Sequence, residues 1–127
     1  MKIALIAHDG KKADLVSFVL KRMDFFLHDN LKVVATGTTG KMLTEAGVDK
    51  VERVASGPLG GDAEIGAMVT RGEMDAVIFF RDPLGKHPHD VDISMLLRLC
   101  DVHDIPLATN KQSAKILVKY FENKLEW

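Results

Sequence analysis

A chain of 127 residues, 46% apolar and 28% charged, has room for one core and the composition of an ordinary soluble domain. A formal net charge of −1 provides no basic field for nucleic acid, and no basic amphipathic stretch suggests a membrane surface, so an anion must be met by a local site. The lone cysteine, Cys100, excludes an internal disulfide and fits a reducing, cytoplasmic setting.

The chain opens on "IALIA" (3–7), an apolar run too short for a signal peptide, and no later run approaches the length of a membrane span. Near-continuous apolarity marks a strand buried on both faces. Residues 13–28 follow with Leu15, Val19, Met23, Phe26 and Leu27 at helical spacing. The second strand is expected at "LKVVAT" (31–36), followed by a weak helix over 40–46. The third, "VERVA" (51–55), carries Glu52 and Arg53 and suits a sheet edge. A glycine-rich loop, "SGPLGGD", then leads into a weak helix over 63–71. "AVIFF" (76–80) is the fourth strand. The helix over 92–103 places Leu96, Leu99, Cys100 and His103 at 3–4 spacing, which makes Cys100 a small buried hydrophobe rather than a nucleophile. "IPLAT" (105–109) and a helix over 111–122 complete the order. Five β-α units predict an α/β fold: one three-layer doubly wound domain over residues 1–127, flavodoxin/Rossmann-like, with a mainly parallel five-stranded sheet.

In such a sheet, ligands bind outside the carboxyl ends of the strands. The residues there are "HDGKK", "TGTTG", "SGPLGGD", "RDPLGKHPHDVD" and "TNKQS", whereas the opposite ends read as ordinary solvated turns. Each piece has a plain structural use as well. "TGTTG" is either an anion seat at a helix start or a capped turn. Lys12 is either a solvated surface lysine or the charge that a phosphate seat needs. His8 is either a hydrogen-bonded strand-end group or a catalyst. Asp62, Asp82, Asp90 and Asp92 suit helix caps and turns one by one. Asp62 has a sharper alternative, as a base aimed at a ligand whose anionic end the glycines cradle. "HPHD" lacks the further ligands that a zinc site requires, so no metal is expected. A phosphoacceptor receiver would need an aspartate after the third strand, where the chain has "ASG".

Taken together, "AHDxxK", "ATGTTG", "SGPLGGD", "FFRDPL" and "HPHDVD" closely resemble the methylglyoxal synthase family, with the motifs in family order from Ile3 to about Ser113. The resemblance implies a carbon–oxygen lyase that converts dihydroxyacetone phosphate to methylglyoxal and inorganic phosphate, a glycolytic bypass needing no metal or organic cofactor. By position it implies Asp62 as catalytic carboxylate and His89 as proton-handling histidine. It further implies a substrate-binding set of His8, Lys12, Thr36, Gly37, Thr38, Thr39, Ser56 and Gly57, a second acid at Asp92, inhibition by the product phosphate, and a homohexamer. The alternative is a non-catalytic regulatory domain of the same fold that senses a phosphorylated ligand. A sensor could keep the phosphate seat but has no need of Asp62 together with His89.

Overall fold

The computed structural model describes residues 1–85 and 90–125. Its strands are β1 (Lys2–Ala7), β2 (Lys32–Thr36), β3 (Val51–Val54), β4 (Ala76–Phe80) and β5 (Leu107–Ala108). Its helices are α1 (Lys12–Leu20), α2 (Met23–Phe26), α3 (Gly37–Glu45), α4 (Gly61–Thr70), α5 (Asp90–Val102) and α6 (Lys111–Glu122), with short 3-10 turns at Asp9–Lys11 and Gly57–Leu59.

The strands form one sheet in the order β3-β2-β1-β4-β5, and every pairing is parallel. β1 is central. It pairs with β2 from Lys2 opposite Lys32 and with β4 from Ile3 opposite Ala76. The chain builds outward from β1 to one edge, then crosses back to build outward from β4, which puts the topological switch point between β1 and β4. The polar third run is indeed an edge strand.

The period-2 alternation of strand side chains splits the core into two layers. Ile3, Leu5, Val33, Ala35, Ile78 and Phe80 face a cluster that includes Leu15, Phe18 and Val19 of α1, Phe25 and Phe26 of α2, Leu43 of α3 and Leu117 and Val118 of α6. Ala4, Ile6, Val34, Val77 and Phe79 face a second cluster with Ile65 and Val69 of α4 and Ile93, Leu96 and Cys100 of α5. The inner strands are therefore apolar on both faces, which explains their unbroken hydrophobic runs.

Besides shifts of two or three residues at the starts of α3, α4 and α5, two elements differ from the sequence reading. The single helix expected over 13–28 is broken at Arg22, whose backbone (φ −135°, ψ 37°) is not helical. Its guanidinium donates to the Phe18 carbonyl at 3.0 Å and lies 4.0 Å from the centroid of the Phe18 ring. The break lets Phe25 and Phe26 enter the core together, while Leu27 stays 37% exposed. β5 is shorter than "IPLAT" suggests, although the Pro106 carbonyl still accepts from Val77 N–H at 2.9 Å. As an edge strand beginning beside a proline, it has one neighbour and one donor fewer.

Candidate functional site

A cavity of about 450 Å³ opens at the carboxyl ends of the strands, over the β1–β4 switch point. Its wall includes His8, Asp9, Gly10 and Lys12 from the segment after β1, Thr38 from α3, Ser56, Gly57, Pro58 and Asp62 from the segment after β3, and Asp82 and Gly85 from the segment after β4. Ile6, Ala7 and Phe79 form its floor. Residues up to 79 positions apart in sequence meet there because β1 is flanked by β2 and β4.

Asp62 is only 1% exposed. It is not the N-cap of α4. That position belongs to Gly60, at φ +100°, and the helix starts at Gly61, two residues earlier than the sequence suggests. Both glycines are required. Gly60 occupies the left-handed region, and a Cβ on Gly61 would stand 1.8 Å from the Ala55 carbonyl oxygen. This tight entry carries Asp62 inward in the first turn of the helix, where it is almost fully buried.

Part of the rest of the wall suits an anion, beside the carboxylates of Asp9 and Asp82. Lys12 keeps its side chain 17% exposed and pairs with Asp9. Ser56, in extended backbone, begins the 3-10 turn that presents Gly57 and Pro58. α3 begins after Thr36 with no side-chain cap, so "TGTTG" is not the self-capped turn that was its plain alternative. Thr38 lines the cavity. Thr36 is 4% exposed at the end of β2, and Thr39 is fully buried, its hydroxyl without a hydrogen-bond partner among the described residues. Thr36, Gly37 and Thr39 flank Thr38 in the chain and are not in the cavity wall itself. A Cβ on Gly37 would lie 3.1 Å from Ser56 N, so α3 and the Ser56 turn are closely apposed.

His8 is 5% exposed at the end of β1. Its N–H donates to the Phe80 carbonyl at 3.1 Å, and its Nδ1 accepts from the Asp82 N–H at 2.8 Å. Asp82 uses its own Oδ1 to accept from Leu84 N–H at 3.1 Å, a turn role that the sequence suggests, yet it also lines the cavity. Sequence reasoning did not place Asp82 or Gly10 in the site. Their positions follow from strand adjacency, and the only signal was that both loops lie on the same rim. His89 lies outside the described residues; Asp90 and Asp92 fall in the first turn of α5.

Cys100 is apart from all this, buried against α4. Burial, with a smaller contribution from Asp101, pushes its thiol up to about 11, the behaviour of an inert core residue. Among the described residues no three His, Cys, Asp or Glu side chains gather as a metal ion would require, and no helix is long and apolar enough to cross a membrane.

Comparison with known proteins places the chain in a family. The profile of the MGS-like domain matches residues 19–109. A methylglyoxal synthase of Geobacillus sp. (strain WCH70) is 57% identical over 122 residues, 96% of this chain and 86% of that protein. One from Carboxydothermus hydrogenoformans is 56% identical over 119 residues, 94% of this chain and 97% of that protein. The crystal structure of methylglyoxal synthase from Elizabethkingia anophelis superposes with a TM-score of 0.84 at 44% identity, covering 92% of this chain and 76% of that one.

Proposed function

The chain belongs to the methylglyoxal synthase family, and from that premise we propose that its switch-point cavity converts dihydroxyacetone phosphate to methylglyoxal and inorganic phosphate. The observation that carries this reading is the buried carboxylate of Asp62 in the same wall as Lys12, Thr38, Ser56 and Gly57. A base and an anion seat share one small space, which is what a phosphorylated ketone needs if a proton is to leave its carbon.

Asp62 abstracts a proton from the carbon that lies between the carbonyl and the hydroxyl. Charge moves onto the carbonyl oxygen and an enediolate forms, stabilised by donors aimed at that oxygen. His89, carried over from the family motif, moves the proton between the enediol oxygens. The carbon–oxygen bond to phosphate then breaks as the enediol electrons form a new double bond. This elimination requires that bond to stand out of the enediol plane, overlapping its π system. The anion seat of Lys12, Thr38, Ser56 and Gly57 therefore sets the outcome by fixing the torsion of the phosphate arm, and Thr36, Gly37 and Thr39 belong to the binding set through the family motif. The enol released becomes methylglyoxal by tautomerisation, with no cofactor involved.

Residues 1–127 form one domain, the protein works in the cytoplasm, product phosphate returns to the seat as an inhibitor, and copies assemble into a homo-oligomer, a hexamer by family resemblance. Leu59 (78% exposed) and Leu84 (94% exposed) lie on loops flanking the cavity and are apolar surface that an assembly could cover. The test is incubation with dihydroxyacetone phosphate in excess EDTA, with methylglyoxal and phosphate both assayed. Equal release of the two, unaffected by chelator, is expected. Tight binding of the substrate with no product would instead make the protein a phosphate-ligand sensor, and activity restored only by a divalent ion would overturn the metal-free route.

A further inference from the structure

Resting on that reading of the cavity, we propose that Asp82 is a positioning residue that fixes His8 as the tautomer with its hydrogen on Nε2. His8 then meets a substrate oxygen as a hydrogen-bond donor and not as a proton acceptor. The ring is held in three ways. The His8 backbone continues the β1–β4 ladder by donating to the Phe80 carbonyl at 3.1 Å. The ring packs edge-on to Phe79, with centroids 5.1 Å apart and planes at 74°. Across 74 residues of sequence, Nδ1 accepts the Asp82 N–H at 2.8 Å. A nitrogen that accepts a hydrogen bond must present its lone pair, so the hydrogen of the neutral ring sits on the other nitrogen. A hydrogen on Nδ1 would set two N–H groups against each other at that distance.

The Asp82 amide is itself aimed by several contacts. Pro83 biases Asp82 toward extended backbone. Arg81 N–H is tied to the Thr109 carbonyl at 3.3 Å, and Asp82 Oδ1 accepts Leu84 N–H at 3.1 Å. The first loop closes over the same carboxylate, since a Cβ on Gly10 would lie 2.9 Å from Asp82 Oδ2. Asp82 thus acts through His8. The chemical consequence is an N–H of fixed orientation on a nitrogen buried within the cavity wall, set before substrate arrives for an oxygen on which negative charge develops.

The test is ¹⁵N NMR of the full chain with labelled histidine rings, with His8 assigned by comparison with His8→Gln. Nδ1 is expected to resonate as an unprotonated, pyridine-type nitrogen and Nε2 as a pyrrole-type N–H. Asp82→Ala, which removes the turn acceptor, should mix the two tautomers. It should lower kcat by roughly tenfold or more, toward the ~10²–10³-fold cost of losing one oxyanion donor, with little change in KM. Asp82→Asn keeps Oδ1 and should restore the wild-type ring signature and most of that turnover. Gly10→Ala, which crowds the carboxylate from the other loop, should reproduce the mixing. A pyrrole-type Nδ1 in the wild-type protein would overturn the proposal, and so would a loss of turnover in Asp82→Ala with the ring signature unchanged. Because the ring signature is read without substrate, it decides the tautomer even if no methylglyoxal is made, a result that would remove only the proposed activity.

Discussion

α4 and α6 start on the same rim of the sheet, and their first turns are built in opposite ways. α6 closes on itself. Asn110 Oδ1 accepts Ser113 N–H at 2.9 Å while Ser113 Oγ accepts Asn110 N–H at 3.3 Å, a reciprocal capping box. α4 has no side-chain cap, begins from a left-handed glycine and buries Asp62 in the cavity wall. α3, whose Thr38 lines the same cavity, also starts without a side-chain cap. A helix that needs only to be stable satisfies its first turn internally. A helix that serves a site leaves that work to backbone geometry and uses its side chains elsewhere.

The contrast can be broken most sharply at Asp62. Asp62→Asn keeps the shape of the side chain and removes its basicity. Turnover should fall by roughly 10³–10⁴-fold, the upper part of what positioned acid–base catalysis supplies, together with deuterium exchange into substrate. The melting temperature should hardly move, because the α4 cap is Gly60. Exchange at the wild-type rate would remove Asp62 as the base.

Gly61→Ala should cost more than about 3 kcal/mol of stability, measured by denaturant unfolding, because the new Cβ collides with backbone that cannot retreat. Lys111→Ala, the same position in α6, should be close to neutral. Next in size, Lys12→Ala should weaken binding of substrate and of inorganic phosphate alike by about 1.5–3 kcal/mol, the range for hydrogen bonds to a charged group. Titration calorimetry with both ligands checks this; a variant that loses only turnover would put the anion elsewhere. The smallest effect belongs to the self-contained helix. Asn110→Ala should lower stability by about 1 kcal/mol while kcat and KM stay near wild type, which thermal melts and steady-state kinetics would read side by side.

The parts of the molecule legible in the sequence were those governed by local pattern. Four buried runs and one polar run announced five strands, and Glu52 and Arg53 marked β3 as an edge. The loops at the carboxyl ends were legible as a set because glycines, hydroxyls and imidazoles crowd them. What local pattern could not give was the meeting of distant segments. The break at Arg22 depends on a cation–aromatic contact with Phe18, and periodicity alone continues straight through it. The inward turn of Asp62 depends on how closely Gly61 approaches Ala55. The bond from Asp82 to His8 exists only because β4 lies beside β1.

That last adjacency bears on how the protein is made. A chain emerging from the ribosome releases β1, β2 and β3 first, and with them Lys12, Thr38, Ser56 and Asp62. Yet one whole side of β1 has no neighbour until residues 76–80 arrive. Until then Ile3, Leu5, Ala76 and Ile78 cannot share a core, and the Asp82 amide cannot reach the imidazole. Contacts of such long sequence separation are slow to form. The first half of the chain therefore carries the proposed anion-binding residues and Asp62 before it carries an oriented histidine, and the complete cavity wall forms only when the central strand gains its second neighbour. For a site whose expected product is a reactive dicarbonyl, folding itself delays the chemistry until the cavity is whole.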